Sequence, residues 1–148
     1  MQNVLKMPIG DYSCLKRSAY AAYKENRYFE SAVLIHCAME YTIKLWLAID
    51  KKLSDRFWKN DRLTFSKLVD FCEIAGMKQS SIRELREFNK KRNELVHQPI
   101  SHIERHQSIL VSSINAQTIV FNDASLNKLA EEIFKLGSKI FQNGSFFE

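Results

Sequence analysis

The chain has 148 residues, of which 45% are apolar and 26% are charged, a balance that suits one globular domain over residues 1–148 and excludes a fibrous or low-complexity chain. Only four glycines and two prolines interrupt it, which favours long helices over a many-stranded β-fold. The formal charge of +5 is compatible with RNA or an acidic protein as a partner, and requires neither.

Three helices are predicted in the first half of the chain. The first covers residues 11–25, with Asp11 as its N-cap. The second is longer and covers residues 28–51. The third covers residues 64–75 and ends at Gly76, because glycine readily adopts the left-handed conformation that closes a helix.

A fourth helix is predicted from residue 80 or 81 to about residue 97. It is expected to end there because Pro99 disfavours helical backbone at the residue that precedes it. The charged stretch before the third helix, residues 51–64, lacks a clean apolar period and is predicted to be a loop or a short turn.

The last third of the chain holds a β-branched segment and then a fifth helix. Residues 107–121 contain the runs SILV and TIVF, which favour a short β-hairpin, with a helix as the alternative. The fifth helix is expected to be capped by Asn122, Asp123 or Ser125. Its apolar residues follow at helical spacing: Leu126, Leu129, Ile133, Leu136 and Ile140.

The most apolar window lies in the second helix. Residues 31–49, SAVLIHCAMEYTIKLWLAI, are about long enough to cross a bilayer. His36, Glu40 and Lys44 interrupt this window, which argues for a buried helix and against a membrane span.

Cysteine usage indicates a reducing compartment. The three cysteines lack CxxC spacing, and we expect them to be reduced thiols that fill the core. The first 13 residues hold no apolar run of the length that a signal peptide needs. We therefore expect a cytoplasmic protein.

The fourth helix carries an arginine in the middle of its apolar stripe. With about 100° of rotation per residue, the stripe centres at about 280° from Ile82, and Arg92 falls at the same angle. Asn93 lies at the edge of the stripe, whereas Lys90 and Lys91 point away from it. The apolar members of the stripe are Ile82, Leu85, Phe88, Leu95 and Val96.

The second helix shows the same anomaly. His36 and Glu40 fall within about 20° of Phe29 on the helical wheel, in a stripe that also includes Val33, Ile43 and Leu47. An unpaired buried charge is costly, so we expect Glu40 to pair with Arg92 across the helix interface. Pairs of this kind also serve as structural braces.

Arg92 and His97 are the candidate catalytic residues. An ideal helix separates them by about 140°, so they converge only if the helix end distorts or a second chain completes the site. RNA cleavage through the 2′-hydroxyl needs proton transfers, which histidine performs, and a partner for the phosphorane charge, which arginine supplies. This chemistry needs neither a metal nor another cofactor, and no carboxylate cluster suited to Mg²⁺ is evident.

These residues resemble a known family. RNELVH, residues 92–97, resembles the R-x4–6-H signature of the HEPN superfamily, with the polar residue Asn93 directly after the arginine. Residues 31–47 look like the long helix that packs against the motif helix in HEPN domains, with Glu40 in the acidic role. The resemblance covers roughly residues 12–100, and it implies a mainly α, HEPN-like bundle of about five helices.

The resemblance also implies a function. It indicates a metal-independent endoribonuclease that acts on RNA, either a toxin with a cognate antitoxin protein or a phage-defence effector. HEPN proteins usually dimerise so that two motifs share one cleft, and we therefore expect a homodimer. Besides the catalytic Arg92 and His97, two residues are expected to support the site and three to contact RNA: Asn93 and Glu40, then Lys90, Lys91 and His102.

Two alternatives remain open. One is a non-catalytic HEPN module in which Arg92 and His97 hold a nucleotide or a partner protein. The other is a helical scaffold in which Glu40–Arg92 is a structural brace. His102 and His106 have a spacing that suits metal ligation, but without a third ligand a polar loop is the favoured interpretation.

Overall fold

The computed structural model describes residues 9–51, 63–105 and 124–147. These ranges contain five helices and no strand, which confirms a mainly α bundle. The helices are α1 (Ile9–Lys24), α2 (Tyr28–Leu45), α3 (Phe65–Ile74), α4 (Gln79–Arg105) and α5 (Ala124–Gln142). Helix α2 continues directly into a π-helical turn, Trp46–Asp50, in which the Lys51 amide donates to the Trp46 carbonyl.

Two helices close in the same way, and one closure was predicted. Gly76 takes a φ of 95° after α3, and the amide of Met77 donates back to the Cys72 carbonyl. Asn26 takes a φ of 61° after α1, and the amide of Arg27 donates to the Ala22 carbonyl. Both are Schellman closures, which satisfy the last carbonyls of a helix and turn the chain sharply. They place α2 against α1 and α4 against α3.

The start of α2 at Tyr28 and the start of α3 beside Thr64 agree with the predictions. Thr64 precedes α3, and its hydroxyl accepts a hydrogen bond from the Lys67 amide at 3.3 Å. Asp11 and Ser125 are not caps, because α1 begins at Ile9 and α5 at Ala124. A carboxylate or hydroxyl is favoured both at a cap and in the first turn, so residue type alone does not fix the boundary.

The predicted end of the fourth helix is wrong. Helix α4 runs through Pro99 to Arg105. A proline inside a helix costs about 3 kcal/mol, because it removes one backbone donor and its ring crowds a carbonyl of the preceding turn; this is a strong preference and not a prohibition, and α4 continues past it. His97 consequently lies eight residues before the end of α4 and not at a distorted terminus.

Two predicted segments lie outside the described residues. The hairpin predicted at 107–121 falls wholly outside them, and so do residues 52–62 of the loop expected at 51–64.

Helix α2 is the centre of the bundle and packs against α1, α3, α4 and α5. Gly137 of α5 packs closely against it. A Cβ atom on this glycine would stand 2.7 Å from Ile35 Cγ1 and 3.1 Å from Phe88 Cε2. Glycine therefore permits α5 to approach α2 and α4, and this approach closes the core beside the candidate site.

The chain after α5 folds back onto the bundle. Phe146 is only 1% exposed, and its carbonyl accepts a hydrogen bond of 2.8 Å from the Ser81 hydroxyl. The indole Nε1 of Trp46 donates to the Phe147 carbonyl at 2.6 Å. This turn ties the C-terminal end of α2 to the start of α4.

The apolar window in α2 belongs to the core. Within the described residues, one segment, Tyr28–Ile49, has the length and composition to cross a membrane, and half of its apolar window is buried inside the bundle. Helices in the core of a soluble protein share these properties, so the packing is compatible with a soluble protein.

The expectation that the cysteines fill the core holds for one of three. Cys72 is buried between α3 and its neighbours, and burial raises the pKa of its thiol to about 12. Cys14 and Cys37 are exposed free thiols.

Candidate functional site

The residues of the candidate motif occupy the middle of α4 and face different directions. Arg92 and Asn93 are half-buried, whereas His97 is exposed. The Nη1 atom of Arg92 donates to Asn93 Oδ1 at 3.3 Å, so the two side chains hold each other.

Arg92 lines a cavity of about 430 Å³ between α2, α4 and the start of α3. We call it the Arg92 cavity. Its polar wall combines a cation, a carboxylate, an imidazole, two amides and two hydroxyls. These groups belong to Arg92, Glu40, His36, Asn89, Asn93, Thr64 and Ser66.

His97 lines a separate depression of about 610 Å³, which we call the His97 groove. Ser66, Asn89 and Asn93 line both the groove and the Arg92 cavity, so the two spaces adjoin. Arg86 also lines the groove, and it is paired with Asp70 at 3.0 Å and Glu73 at 3.4 Å. Arg92 and His97 therefore lie on opposite sides of a polar ridge, which is formed by the residues shared between the two spaces.

The predicted Glu40–Arg92 ion pair is not formed. Glu40 Oε1 lies 3.4 Å from Lys44 Nζ in the next turn of α2, and Arg92 donates to Asn93. Glu40 is 32% exposed, so its carboxylate remains in contact with water and does not need a buried counter-ion. The two side chains line the same cavity without bridging it.

The physical reason is a rotation of the buried face of α2. Val33, which was assigned to the apolar stripe, is 42% exposed, whereas Ile35 and Met39 are fully buried. On the helical wheel the buried face centres at about 290° from Phe29, which puts Glu40 at its edge.

His36 is the most unusual group of the site. It is 4% exposed, and its ring stacks on Phe88 and leans on Phe65, with centroid distances of 5.5 and 4.7 Å. Burial lowers the pKa of His36 to about 4, the positive charge of Arg92 acts in the same direction, and a hydrogen bond with Asn89 opposes them. His36 is therefore neutral at pH 7. Its Nε2 atom is buried and has no hydrogen-bond partner.

Of the three residues expected to contact RNA, the two lysines face different neighbours. Lys90 is exposed and lines the His97 groove. Lys91 faces α5, where its Nζ lies 3.5 Å from Glu132 Oε2. His102 lies further along α4, and its side chain is outside the described part of the structure.

The sequence pattern put His36 inside the apolar stripe of α2 and Asn89, like Asn93, at the edge of the stripe of α4, but it gave neither His36 nor Asn89 a role. The structure joins them: both line the Arg92 cavity, and Asn89 also lines the His97 groove. The signal was present in the sequence as polar residues at apolar positions on two different helices. Which helices pack together, however, is a property of the fold.

Among the described residues, no group of three or more histidine, cysteine, aspartate or glutamate side chains is arranged to hold a metal ion. The chain matches no protein-family model, and comparisons with curated proteins and with solved structures gave no match.

Proposed function

We propose that the protein is a HEPN-type, metal-independent endoribonuclease, a cytoplasmic toxin or phage-defence effector that works as a homodimer. One observation carries the proposal. Arg92 and His97 line adjoining spaces on one helix, with the amides of Asn89 and Asn93 between them. A guanidinium, an imidazole and intervening hydrogen-bonding groups are what the cleavage of a phosphodiester requires.

The chemistry assigns a role to each group. His97 accepts the proton of the 2′-hydroxyl, whose oxygen attacks the adjacent phosphorus. The 5′-oxygen leaves and takes a proton from a second, protonated histidine, so that the products are a 2′,3′-cyclic phosphate and a 5′-hydroxyl. Arg92 directs its fork of N–H donors at the phosphorane oxygens, where negative charge accumulates. Lys90 at the groove binds a neighbouring phosphate.

The second histidine points to a second chain. Arg92 and His97 diverge by about 140° on a straight helix, and α4 continues past both residues to Arg105. A single chain therefore offers one copy of His97, which faces a different space from Arg92. A two-fold arrangement of two α4 helices would place the His97 of one chain near the Arg92 of the other.

The test compares cleavage of a structured RNA by the wild type, by His97→Ala and by Arg92→Lys, all in excess EDTA. His97→Ala should lose on the order of 10²-fold or more in rate, the scale of general acid–base catalysis. Arg92→Lys keeps the positive charge and removes the fork of N–H donors, and its cleavage rate should also fall steeply. Arg83→Lys is the matched control, because Arg83 is exposed on the same helix and lines neither space.

Product analysis completes the test. The expected 5′ fragment ends in a 2′,3′-cyclic phosphate, and an RNA methylated at its 2′-oxygens should stay intact. Cleavage of RNA by the His97→Ala protein at the wild-type rate would refute the assignment of His97 as a catalytic residue.

A non-catalytic nucleotide-binding module is the second candidate. The observation that favours it is the Arg92 cavity itself, whose 430 Å³ lies within the range of small-molecule sites and whose wall combines polar and apolar groups. Nucleotide binding by both the wild type and His97→Ala, with no cleavage by either, would support this alternative.

A further inference from the structure

The Arg92 cavity has a polar wall that the cleavage chemistry does not use. Besides Arg92 it contains the Glu40 carboxylate and the His36 imidazole, which come from one face of α2, and the Asn89 amide from α4. Leu63 and Phe65 add apolar surface. A carboxylate, neutral donors and an aromatic wall form a setting suited to a nucleobase.

The position of the cavity relates it to one nucleotide of the substrate. The nucleotide that supplies the attacking 2′-hydroxyl carries the scissile phosphate on its own 3′-oxygen. With that phosphate at Arg92, its base lies within reach of the same cavity. This is also the nucleotide whose orientation affects the rate most, since its hydroxyl must stand in line with the leaving oxygen.

We propose, on the basis of the proposed ribonuclease function, that the Arg92 cavity binds the guanine base of the nucleotide on the 5′ side of the cleaved bond. Glu40 determines the preference. An ionised carboxylate only accepts hydrogen bonds, and guanine presents two adjacent donors, N1–H and the 2-amino group. Adenine, cytosine and uracil each present at least one lone pair beside their donor, which a carboxylate repels.

The O6 atom of guanine needs a donor, and the side-chain amide of Asn89, which lines the cavity, provides one. Asn89 shares a hydrogen bond with His36 that favours protonation of the imidazole, so the ring donates and the amide oxygen of Asn89 accepts. The NH2 group of Asn89 is then the group that donates to O6. The neutral imidazole has a single N–H, which this bond uses, so the buried Nε2 atom of His36 does not donate to the base.

The first experiment measures binding without cleavage. Calorimetric titration of the His97→Ala protein with the 3′-monophosphates of guanosine, adenosine, cytidine and uridine should show the guanosine nucleotide binding at least about 10-fold more tightly, the scale of one hydrogen bond to a charged group. Inosine 3′-monophosphate, which lacks only the 2-amino group, should lose most of that advantage. Because this comparison changes the ligand, it does not depend on how a variant folds.

The protein side of the test uses Glu40→Gln in the same His97→Ala background. Glutamine keeps the shape of glutamate and presents a donor where guanine also has donors, so the guanosine preference should disappear. Glu84→Gln removes the same charge from α4 at a residue that lines neither space, and it should keep the preference. The imidazole resonances of His36 should shift on addition of guanosine 3′-monophosphate.

Equal binding of the four nucleotides, or a guanosine preference that survives Glu40→Gln, would overturn the inference. Mapping of cut sites separates this inference from the proposed function. Cleavage with no preference for the 3′ side of guanosine refutes the base site and leaves the ribonuclease intact. Guanosine-specific binding without cleavage of any RNA supports the base site and refutes the ribonuclease.

Discussion

The imidazole of His36 lies on the ring of Phe88, with 5.5 Å between the centroids and 13° between the ring planes. The histidine is nearly inaccessible, and the charge of Arg92 is close enough to disfavour its protonation. The core of this bundle therefore contains a base that stays neutral until the solution is strongly acidic.

We predict that His36 makes the fold sensitive to acid. Its pKa is about 4 in the folded chain against an ordinary value of 6.5, so between these pH values the unfolded chain binds a proton that the folded chain does not. Stability should therefore fall as the pH is lowered from 6.5 to 4, by about 3 kcal/mol at 1.36 kcal/mol for each pH unit.

The measurement is urea denaturation at several pH values for the wild type and for His36→Phe. Phenylalanine keeps an aromatic ring between Phe65 and Phe88 and has no group to protonate. Carboxylates also titrate in this range, so the difference between the two proteins is the relevant quantity. Parallel curves for the two proteins would contradict the prediction.

We predict that Glu40 contributes little to stability. Its partner is Lys44 in the next turn at 3.4 Å, and the carboxylate is 32% exposed. Pairs of this kind are worth on the order of 0.3–0.5 kcal/mol. Glu40→Ala should therefore cost less than about 1 kcal/mol in chemical denaturation, close to the effect of the exposed Glu94→Ala. A loss of several kcal/mol for Glu40→Ala alone would instead indicate a buried pair.

Glu40 illustrates which features of α2 could be predicted from the sequence and which could not. The helical period of α2 correctly predicted a helix from Tyr28 and buried positions at Ile43 and Leu47. The period did not determine the angle around the helix at which the buried face is centred. Small residues such as Ala32 and Ala38 are fully buried, and they carry little weight in a hydrophobicity pattern. The core face was therefore misplaced, and Glu40 was assigned an unnecessary partner.

Helix ends divide in the same way. Gly76 was predicted correctly as the end of α3, because it acts through its own backbone conformation, and the start of α3 was placed correctly near Thr64, although the capping role of this residue was not predicted. The helix end predicted from Pro99 was wrong, because the effect of a proline depends on whether the residues beyond it remain helical. The fold-back of Phe146 onto the core could not be predicted, since it depends on contacts with residues as distant in sequence as Ser81.

We predict that Gly137→Ala is destabilising despite the higher helix propensity of alanine. The added Cβ would stand 2.7 Å from Cγ1 of Ile35, a fully buried side chain. Overpacking of this kind costs about 1–3 kcal/mol, against a propensity gain of about 1 kcal/mol. Gly144→Ala is the control, because a Cβ atom there meets nothing within 4 Å. Equal thermal midpoints for the two variants would show that α5 can shift away from α2.

We predict that Phe146→Ala costs about 3–5 kcal/mol, the range for a buried aromatic ring. Phe146 is 1% exposed and belongs to the core, whereas its neighbour Phe147 is half-buried. Phe147→Ala should therefore cost clearly less and keep the bond from Trp46, which goes to the backbone carbonyl. Chemical denaturation compares the two, and the reverse order of stability would contradict the described turn.

The last prediction concerns assembly. If the catalytic site combines the Arg92 of one chain with the His97 of another, two α4 helices must lie next to each other in a dimer. Lys90 is exposed and lines the His97 groove, so it should approach its symmetry mate. Lys139 is exposed on α5 and should stay distant from its own.

The test uses single cysteines at these two positions in a protein that carries Cys14→Ser and Cys37→Ser, because both native thiols are exposed. A short bifunctional thiol reagent should cross-link Lys90→Cys and leave Lys139→Cys unlinked, and sedimentation should show a dimer for the unmodified chain. Activity per chain should also fall on dilution below the dimer dissociation constant, because a monomer holds only one copy of His97. A monomeric protein with full activity would exclude the shared site, and the acid would then have to come from a residue other than His97.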